Sequence, residues 1–220
     1  NTLHSADGGW TLAEDPAYHL DETSCNTMRT ALAALNAKRQ LTEEPGEDYG
    51  FTADSLTVTV TAAGETDTFT FGAENAATGD IYLKKAGDDA LYTVAGTKAS
   101  CFEVRKTDLF GAFNPAGLTS SAIEAVTLTK NGETLTPELT TELLSALSSY
   151  VTAQTTDGDP AGRKELAAAV VQTADSTKTL TYYEGMDNYY LTVAGDTSLY
   201  TVDGSTVQTI LAADAAEADS

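Results

Sequence analysis

The sequence is short of the side chains that most often perform catalysis. Its 220 residues include two histidines, two cysteines and one tryptophan. His4 and His19 both lie in the first twenty residues, and no HExxH, CxxC or GxSxG pattern is present. A metal centre or an activated nucleophile normally needs several such groups close together. We therefore expect no cofactor, no metal site, and neither a metalloenzyme nor a nucleophilic hydrolase.

The two cysteines, Cys25 and Cys101, are too few for a disulfide framework. Cys25 falls on the apolar stripe of a predicted helix, where a buried free thiol is the common outcome. Cys101 follows the last predicted strand of the first half of the chain. Two free thiols are favoured, and a bond between the two cysteines stays open as the alternative.

Long apolar segments are also absent. The longest wholly apolar run, 166–171, is far shorter than the roughly 20 residues that a membrane-spanning helix needs. The chain starts at Asn1 without a charged-then-apolar leader, and we interpret it as a mature chain whose N-terminal targeting segment has been removed.

Basic residues are few, with 12 lysines and arginines against 33 acidic residues and a net charge of −21. Such a negative surface repels nucleic acid phosphates and anionic lipids. We therefore exclude nucleic acid as a partner, and we expect membrane attachment only through a removed N-terminal anchor.

What the chain does contain is an internal duplication. Residues 81–96 read IYLKKAGDDALYTVAG and residues 189–204 read YYLTVAGDTSLYTVDG, with 10 of 16 positions identical. Ordered matches continue on the N-terminal side, including Thr11-Leu12 with Thr127-Leu128 and 68–71 with 179–182. An ordered set of matches with a slowly drifting offset indicates two copies of one supersecondary unit.

We predict repeat unit 1 over residues 1–115, repeat unit 2 over 120–212, and a tail over 213–220. Pro115 and Gly117 interrupt the periodic pattern between the two copies, which is typical of a boundary.

Each copy is predicted to begin with a hairpin and a helix. In the second copy, Asn131-Gly132 favours a tight turn between two strands, and Glu14-Asp15-Pro16 takes the equivalent place in the first copy. Thr136 and Pro137 are predicted to start the second helix. The apolar spacing marks the buried face of each helix: Cys25, Met28, Leu32 and Leu35 in the first copy, and Leu139, Leu143, Leu147 and Tyr150 in the second.

About four antiparallel strands follow in each copy. Apolar residues alternate with threonine at 56–61, which is the period of a half-buried strand. The turns Ala86–Asp89 and Ala194–Thr197 match each other, and Leu91 and Leu199 are predicted to be equivalent core residues that face their own helices. Segment 164–172 is ambiguous between strand and helix. The predicted class is α+β, with two tandem copies of a ββα-plus-antiparallel-meander unit and each helix packed on a mainly antiparallel sheet.

A set of short motifs in this order resembles a known family. The motifs are Trp10, Tyr49-Gly50-Phe51, Phe71-Gly72, Tyr82-Leu83, Leu91-Tyr92-Thr93-Val94 and Asp108-Leu109-Phe110. Over nearly the whole chain the sequence resembles the bacterial domain-of-unknown-function family numbered 4340, although no Tyr-Gly-Phe precedes segment 164–172 in the second copy. The resemblance implies an extracytoplasmic, N-terminally anchored protein of the cell envelope that is associated with ABC-type transport systems, and it carries over no catalytic residues.

Tyrosines are the one candidate for a binding site. Tyr182-Tyr183 and Tyr189-Tyr190 flank a short loop, so four phenols lie at adjacent strand ends. Neighbouring tyrosines on a strand point to opposite faces, so about two can share a face. Such side chains can stack a sugar or anchor a protein partner, and ordinary sheet packing is the alternative.

Three functions from different classes remain. The first is a non-catalytic extracytoplasmic interaction module with a protein partner in the envelope, accessory to an ABC-type transport system. The second is a glycan or small-molecule binding domain that uses exposed tyrosines. The third is a carboxylate-dependent hydrolase, since two acids suffice for glycoside hydrolysis. We favour the first.

Overall fold

The chain is a mixed α+β protein with antiparallel sheets, described by a computed structural model over residues 1–6, 9–42 and 47–216. The elements, in chain order, are β1 (Leu3–Ala6), β2 (Gly9–Leu12), α1 (Glu22–Ala33), β3 (Arg39–Leu41), β4 (Thr57–Ala62), β5 (Glu65–Asn75), β6 (Asp80–Lys85), β7 (Leu91–Ala95), β8 (Ile123–Lys130), β9 (Glu133–Leu135), α2 (Thr141–Leu147), β10 (Ala153–Thr155), β11 (Lys164–Thr173), β12 (Thr177–Glu184), β13 (Tyr189–Val193), β14 (Leu199–Val202) and α3 (Gly204–Ala212). Short 3-10 turns lie at Gly96–Lys98, Ser100–Phe102, Lys106–Leu109 and Ser120–Ala122.

Two compact units make up the chain. The larger unit combines Asn1–Asp21 with Phe110–Ser220, and the smaller unit is Glu22–Leu109. These units differ from the repeat bounds expected from the sequence, because residues 1–21 belong with the second half of the chain. The change of unit falls at Leu109 and Phe110, a few residues before the Pro-Gly segment.

The smaller unit holds a five-stranded sheet in the order β3-β7-β6-β5-β4. The larger unit holds a two-stranded sheet, β1-β2, and a seven-stranded sheet in the order β10-β14-β13-β12-β11-β8-β9. The first five strands of the seven-stranded sheet, β10-β14-β13-β12-β11, lie side by side in the same relative chain order as the five strands β3-β7-β6-β5-β4. In the larger unit β8 and β9 then extend the sheet beyond β11.

The two sheets also share the same pairing register around one leucine and one tyrosine. Leu83 lies opposite Tyr92 in the smaller unit, and Leu191 lies opposite Tyr200 in the larger unit. Each of these tyrosines is flanked on its other side by a glutamine, since Gln40 pairs with Tyr92 and Gln154 pairs with Tyr200.

Each unit has its own apolar core on one face of its sheet. In the larger unit this core joins alternate strand residues to the buried faces of α2 and α3, and the buried helix residues are Leu143, Ala146, Leu147, Val207 and Ile210. In the smaller unit a smaller cluster contains Phe71, Leu83, Val94 and Ala99. The alternation of buried and exposed side chains follows from the period of two in a strand.

The two matching turns are built in the same way. In the smaller unit, the Asp88 carboxylate accepts hydrogen bonds from the Ala90 N–H (2.9 Å) and the Tyr92 hydroxyl (2.7 Å). In the larger unit, the Asp196 carboxylate accepts from the Ser198 N–H (2.8 Å) and the Tyr200 hydroxyl (2.5 Å). Aspartate therefore fixes both the turn and the tyrosine that follows it.

The second helix begins later than the sequence predicts. Thr140, rather than Thr136, caps it, because the Thr140 hydroxyl accepts a hydrogen bond from the Leu143 N–H at 3.2 Å. Pro137 instead forms a bridge with Ala215, a contact that is remote in sequence. Tyr150 lies beyond the end of the helix and is 64% exposed, so its assignment to the buried face is wrong.

The first hairpin is also displaced from the predicted position. β1 and β2 pair from Leu3 opposite Leu12 to Ala6 opposite Gly9, so the connection precedes β2 instead of lying at Glu14–Pro16. Asp15 forms an isolated bridge with Leu12.

Leu91 and Leu199 are both buried, with exposed fractions of 0% and 4%. Leu199 does not face its own helix, however. Tyr200 and Val202 of the same strand lie in the core that packs on α2 and α3, and Leu199 alternates to the other face. There it packs against Gly158, where an added Cβ would lie 2.5 Å from the Leu199 Cβ.

Two further expectations are decided by the structure, on segment 164–172 and on the cysteines. Segment 164–173 is a strand, β11. Cys25 and Cys101 are free thiols. Within the described ranges, no helix combines the length and apolar character that crossing a membrane requires.

Candidate functional site

The four candidate tyrosines divide between the two faces of the seven-stranded sheet. Tyr182 is 1% exposed and belongs to the core of the larger unit, where burial raises the pKa of its hydroxyl above the ordinary value. Tyr189 is half-buried and packs on the same core. Its hydroxyl accepts a hydrogen bond from the Gln208 side-chain amide at 3.3 Å. Sheet packing therefore accounts for Tyr182 and Tyr189.

Tyr183 and Tyr190 lie directly opposite each other on β12 and β13. Because side chains alternate along a strand, both lie on the face away from the core. The Arg163 guanidinium lies over the Tyr190 ring, 4.1 Å from its centroid, which is the geometry of a cation–π contact. The Arg163 Nε is buried and has no hydrogen-bond partner among the described residues.

The loop between these two strands exposes an apolar side chain. Met186, in the connection between β12 and β13, is 95% exposed. Glycine suits the preceding position 185, since an added Cβ would lie 2.8 Å from the Asn188 carbonyl oxygen and 2.4 Å from Cε2 of Tyr190. We call Arg163, Tyr183, Met186 and Tyr190 the tyrosine patch. Tyrosine, methionine and arginine are the residue types enriched in protein–protein interfaces.

Sequence reasoning found the two tyrosines of the patch but not Arg163 or Met186. Met186 sits between the two tyrosine pairs, so its place in the sequence was a usable signal. Arg163 precedes β11 by one residue, and only the pairing of β11 with β12 brings it to Tyr190.

A separate open depression of about 450 Å³ lies in the larger unit, and no tyrosine lines it. Three carboxylates border it, from Asp157, Asp159 and Asp196. The Asp159 carboxylate accepts a hydrogen bond from the Ala161 N–H at 2.7 Å, and Asp196 is held by the turn described above. These two carboxylates therefore stabilise loops, which gives no support to a hydrolase.

A second depression, of about 580 Å³, lies in the smaller unit between α1 and the turns that follow β7. Two of its threonine hydroxyls are engaged within α1, since Thr27 donates to the Thr23 carbonyl and Thr30 to the Asn26 carbonyl, both at 2.8 Å. Partial burial raises the pKa of the Cys101 thiol, and its Sγ donates to the Lys98 carbonyl at 3.7 Å. A thiol whose pKa is raised is a poor nucleophile at neutral pH.

His19 has a structural role. Its backbone N–H donates to the Gln154 side chain at 2.8 Å, and its ring Nδ1 is 2.8 Å from the Gly111 carbonyl. The ring stacks on Phe113 with centroids 3.9 Å apart. Across residues 1–6, 9–42 and 47–216, no cluster of three or more His, Cys, Asp or Glu residues is arranged to hold a metal ion.

A family model described as "Domain of unknown function (DUF4340)" matches residues 10–165. The match covers more than half of the chain, and the chain therefore belongs to this family, which confirms the resemblance seen in the short motifs. It begins in β2 and ends at the start of β11. No curated protein and no solved structure matches the chain.

Proposed function

We propose that this member of the DUF4340 family is a non-catalytic interaction module of a bacterial cell envelope, with a protein partner that binds the tyrosine patch. The patch carries the proposal because it places Tyr183, Tyr190 and an exposed methionine at one hairpin of the sheet. The extracytoplasmic location and the service to an ABC-type transport system rest on the family resemblance and on the acidic composition.

The architecture proposed for this module is a tandem duplication. It is supported by the shared order of five strands, the matching registers around Tyr92 and Tyr200, and the matching aspartate turns. In this proposal residues 1–115 and 120–212 derive from two copies of one ancestral unit. The two compact units have different bounds because residues 1–21 fold with the second half of the chain.

The patch has the features of a binding hot spot, a small cluster of residues that contributes most of the binding energy of an interface. A tyrosine side chain has only two χ angles, so little conformational entropy is lost when a partner covers it. The Arg163 guanidinium is already held on the Tyr190 ring and can still offer its terminal nitrogens to an acceptor.

A glycan-binding domain is the second candidate, because Tyr183 and Tyr190 lie outside the core. Sugars stack on open aromatic faces, and Arg163 already covers one face of Tyr190. The open depression of the larger unit is not lined by tyrosine. Protein binding is therefore better supported than glycan binding.

Site-specific photo-crosslinking tests the proposal. A photoreactive amino acid at position 186 is expected to give one discrete adduct with an envelope protein in cells that produce the chain. Tyr190→Ala in the same background should remove this adduct, because truncation of an interface centre often costs more than about 2 kcal/mol.

Position 150 provides the matched control. Tyr150 is also a large exposed side chain of the larger unit but lies outside the patch, so it should give no such adduct. Equal adducts from both positions, or an adduct unaffected by Tyr190→Ala, would show that the patch is not the interface. Saturable binding of a purified glycan that Tyr190→Ala abolishes would favour the second candidate.

A further inference from the structure

The smaller unit ends its sheet with an unusually open strand. β4 is six residues long, lies at the end of the five-stranded order, and pairs with β5 alone among the described strands. Its sequence, Thr-Val-Thr-Val-Thr-Ala, contains no charge and no proline. The other end strands of the two large sheets, β3, β9 and β10, have three residues each. Proteins usually protect a long edge strand with charge, proline or a bulge, and β4 has none of these.

The backbone groups on the outer side of β4 can be assigned from its hairpin. Ala63 and Gly64, with φ of 52° and 85°, form a two-residue turn, so Ala62 and Glu65 are the hydrogen-bonded closing pair. Hydrogen bonding alternates along an antiparallel ladder. The N–H and C=O groups of Thr57, Thr59 and Thr61 therefore point away from β5.

Side-chain distances fit this assignment. The Thr59 and Thr68 hydroxyls are 3.0 Å apart, and the Thr61 and Thr66 hydroxyls are 2.9 Å apart. Side chains come closest in the non-hydrogen-bonded pairs of an antiparallel ladder. The three outward residues of β4 thus form a regular row of donors and acceptors.

The larger unit shows what covers the corresponding edge. β11 holds the place in its sheet that β4 holds in the five-stranded sheet, and β8 pairs with the outer side of β11. β8 directs Val126 and Leu128 into the core. Among its described residues, the smaller unit has no strand in this place. Leu56, Val58 and Phe69 are only partly buried against its core.

We propose that the open edge of β4 binds an extended segment of a basic partner protein as an added antiparallel strand. An incoming strand with apolar residues at alternate positions would pair with the backbone of Thr57, Thr59 and Thr61, as β8 does with β11. Exposed Asp54 and Glu65 flank β4, and the whole chain carries a net charge of −21. Lysine or arginine beside the incoming strand complements these charges, whereas a second copy of the chain would add the same negative charge.

This edge lies in the smaller unit and the tyrosine patch in the larger unit, so the two proposals are tested separately. The probe is a synthetic peptide with the sequence of β8, IEAVTLTK, carrying two extra lysines at each end. Its binding to the intact chain is measured by fluorescence anisotropy at low salt. The lysine-flanked peptide should bind, and a glutamate-flanked version should bind at least about tenfold more weakly.

Two variants locate the binding. Thr59→Pro removes an outward N–H without breaking the pairing with β5, and Thr59→Lys places a charge on the edge strand. Each should weaken peptide binding about tenfold or more, which corresponds to about 1.4 kcal/mol. Thr134→Pro is the matched control, since Thr134 has the same outward position on β9, beside the Asn131-Gly132 turn.

Thr59→Lys keeps the test decisive if Thr59→Pro fails to fold, as judged by circular dichroism. The proposal is overturned if neither peptide binds the folded chain, or if the Thr59 variants bind as the unaltered chain does. It is also overturned if sedimentation at moderate salt shows a dimer that Thr59→Lys disrupts, because the occupant of the edge would then be a second copy.

Discussion

Asp88 and Asp196 each hold a turn and a tyrosine hydroxyl with the two oxygens of one carboxylate. The Ala90 N–H and then the Tyr92 hydroxyl hold the pKa of the Asp88 carboxyl below its usual range. In the matching turn of the larger unit, burial and then the hydrogen bond to Asp196 raise the pKa of Tyr200 to about 12. A depressed carboxyl pKa means that the ionised form stabilises the fold, and that this stabilisation is lost as the pH falls through the folded-state pKa.

Asp88→Asn should therefore have a pH-dependent effect. Asparagine can still accept from Ala90, but its Nδ2 cannot accept from the Tyr92 hydroxyl. The free-energy difference between the unaltered chain and Asp88→Asn should be largest near pH 7. This difference should begin to shrink below about pH 4, the ordinary pKa of aspartate in the unfolded chain. It should continue to shrink as the pH falls through the lower pKa of Asp88 in the folded chain. Urea unfolding at several pH values measures it.

Asp89→Asn is the matched control, because Asp89 is the exposed neighbour of Asp88 in the same turn. It should change stability little at any pH. A difference for Asp88→Asn that stays constant from pH 7 to pH 3 would show that the ionised carboxylate does not stabilise the turn.

Residue roles were predictable from the sequence only where they are local. The shared Gly-Asp turns were visible as identical letters, and period-two alternation predicted that neighbouring tyrosines would divide between faces. The stacking of Arg163 on Tyr190 was not visible, because it depends on which strand lies beside β12.

Among the elements, β7 and β14 share the sequence Leu-Tyr-Thr-Val and the same place in their sheets. Leu91 and Leu199 open these strands and are both fully or nearly fully buried. Replacing either leucine with alanine should lower the free energy of unfolding by about 2–4 kcal/mol, through lost burial and an unfilled cavity. Chemical denaturation of the intact chain measures both effects.

Met186→Ala is the control for this pair, since it removes a similar volume from a side chain that is 95% exposed. Its effect should stay within about 0.5 kcal/mol. If both leucine variants lost less than about 0.5 kcal/mol, the equivalent core positions assigned to Leu91 and Leu199 would be wrong.

Elements with strong local signals were predicted, and elements fixed by tertiary contacts were not. The Asn131-Gly132 hairpin and the alternating strand at β4 lie where the sequence places them. The start of α2 was misplaced because Pro137 is used in a bridge to Ala215, which sequence spacing cannot show. The short strands β3 and β10 have only three residues each, too few to give a periodic signal.

At the scale of the whole molecule, the order of elements was easier to predict than their packing. The repeated letters predicted two similar strand orders, and the two sheets share an order of five strands. They did not predict that residues 1–21 belong with the second half of the chain. That assignment depends on long-range bonds, such as the one from the His19 N–H to Gln154.

The architecture proposed above makes the chain two copies of one unit. Superposing the two sheets in an experimental structure would test this duplication. We predict that β3-β7-β6-β5-β4 superposes on β10-β14-β13-β12-β11 in order and register, with Leu91 on Leu199 and Asp88 on Asp196. A different strand order in either half, or Leu91 and Leu199 at non-equivalent places in their ladders, would contradict the claim.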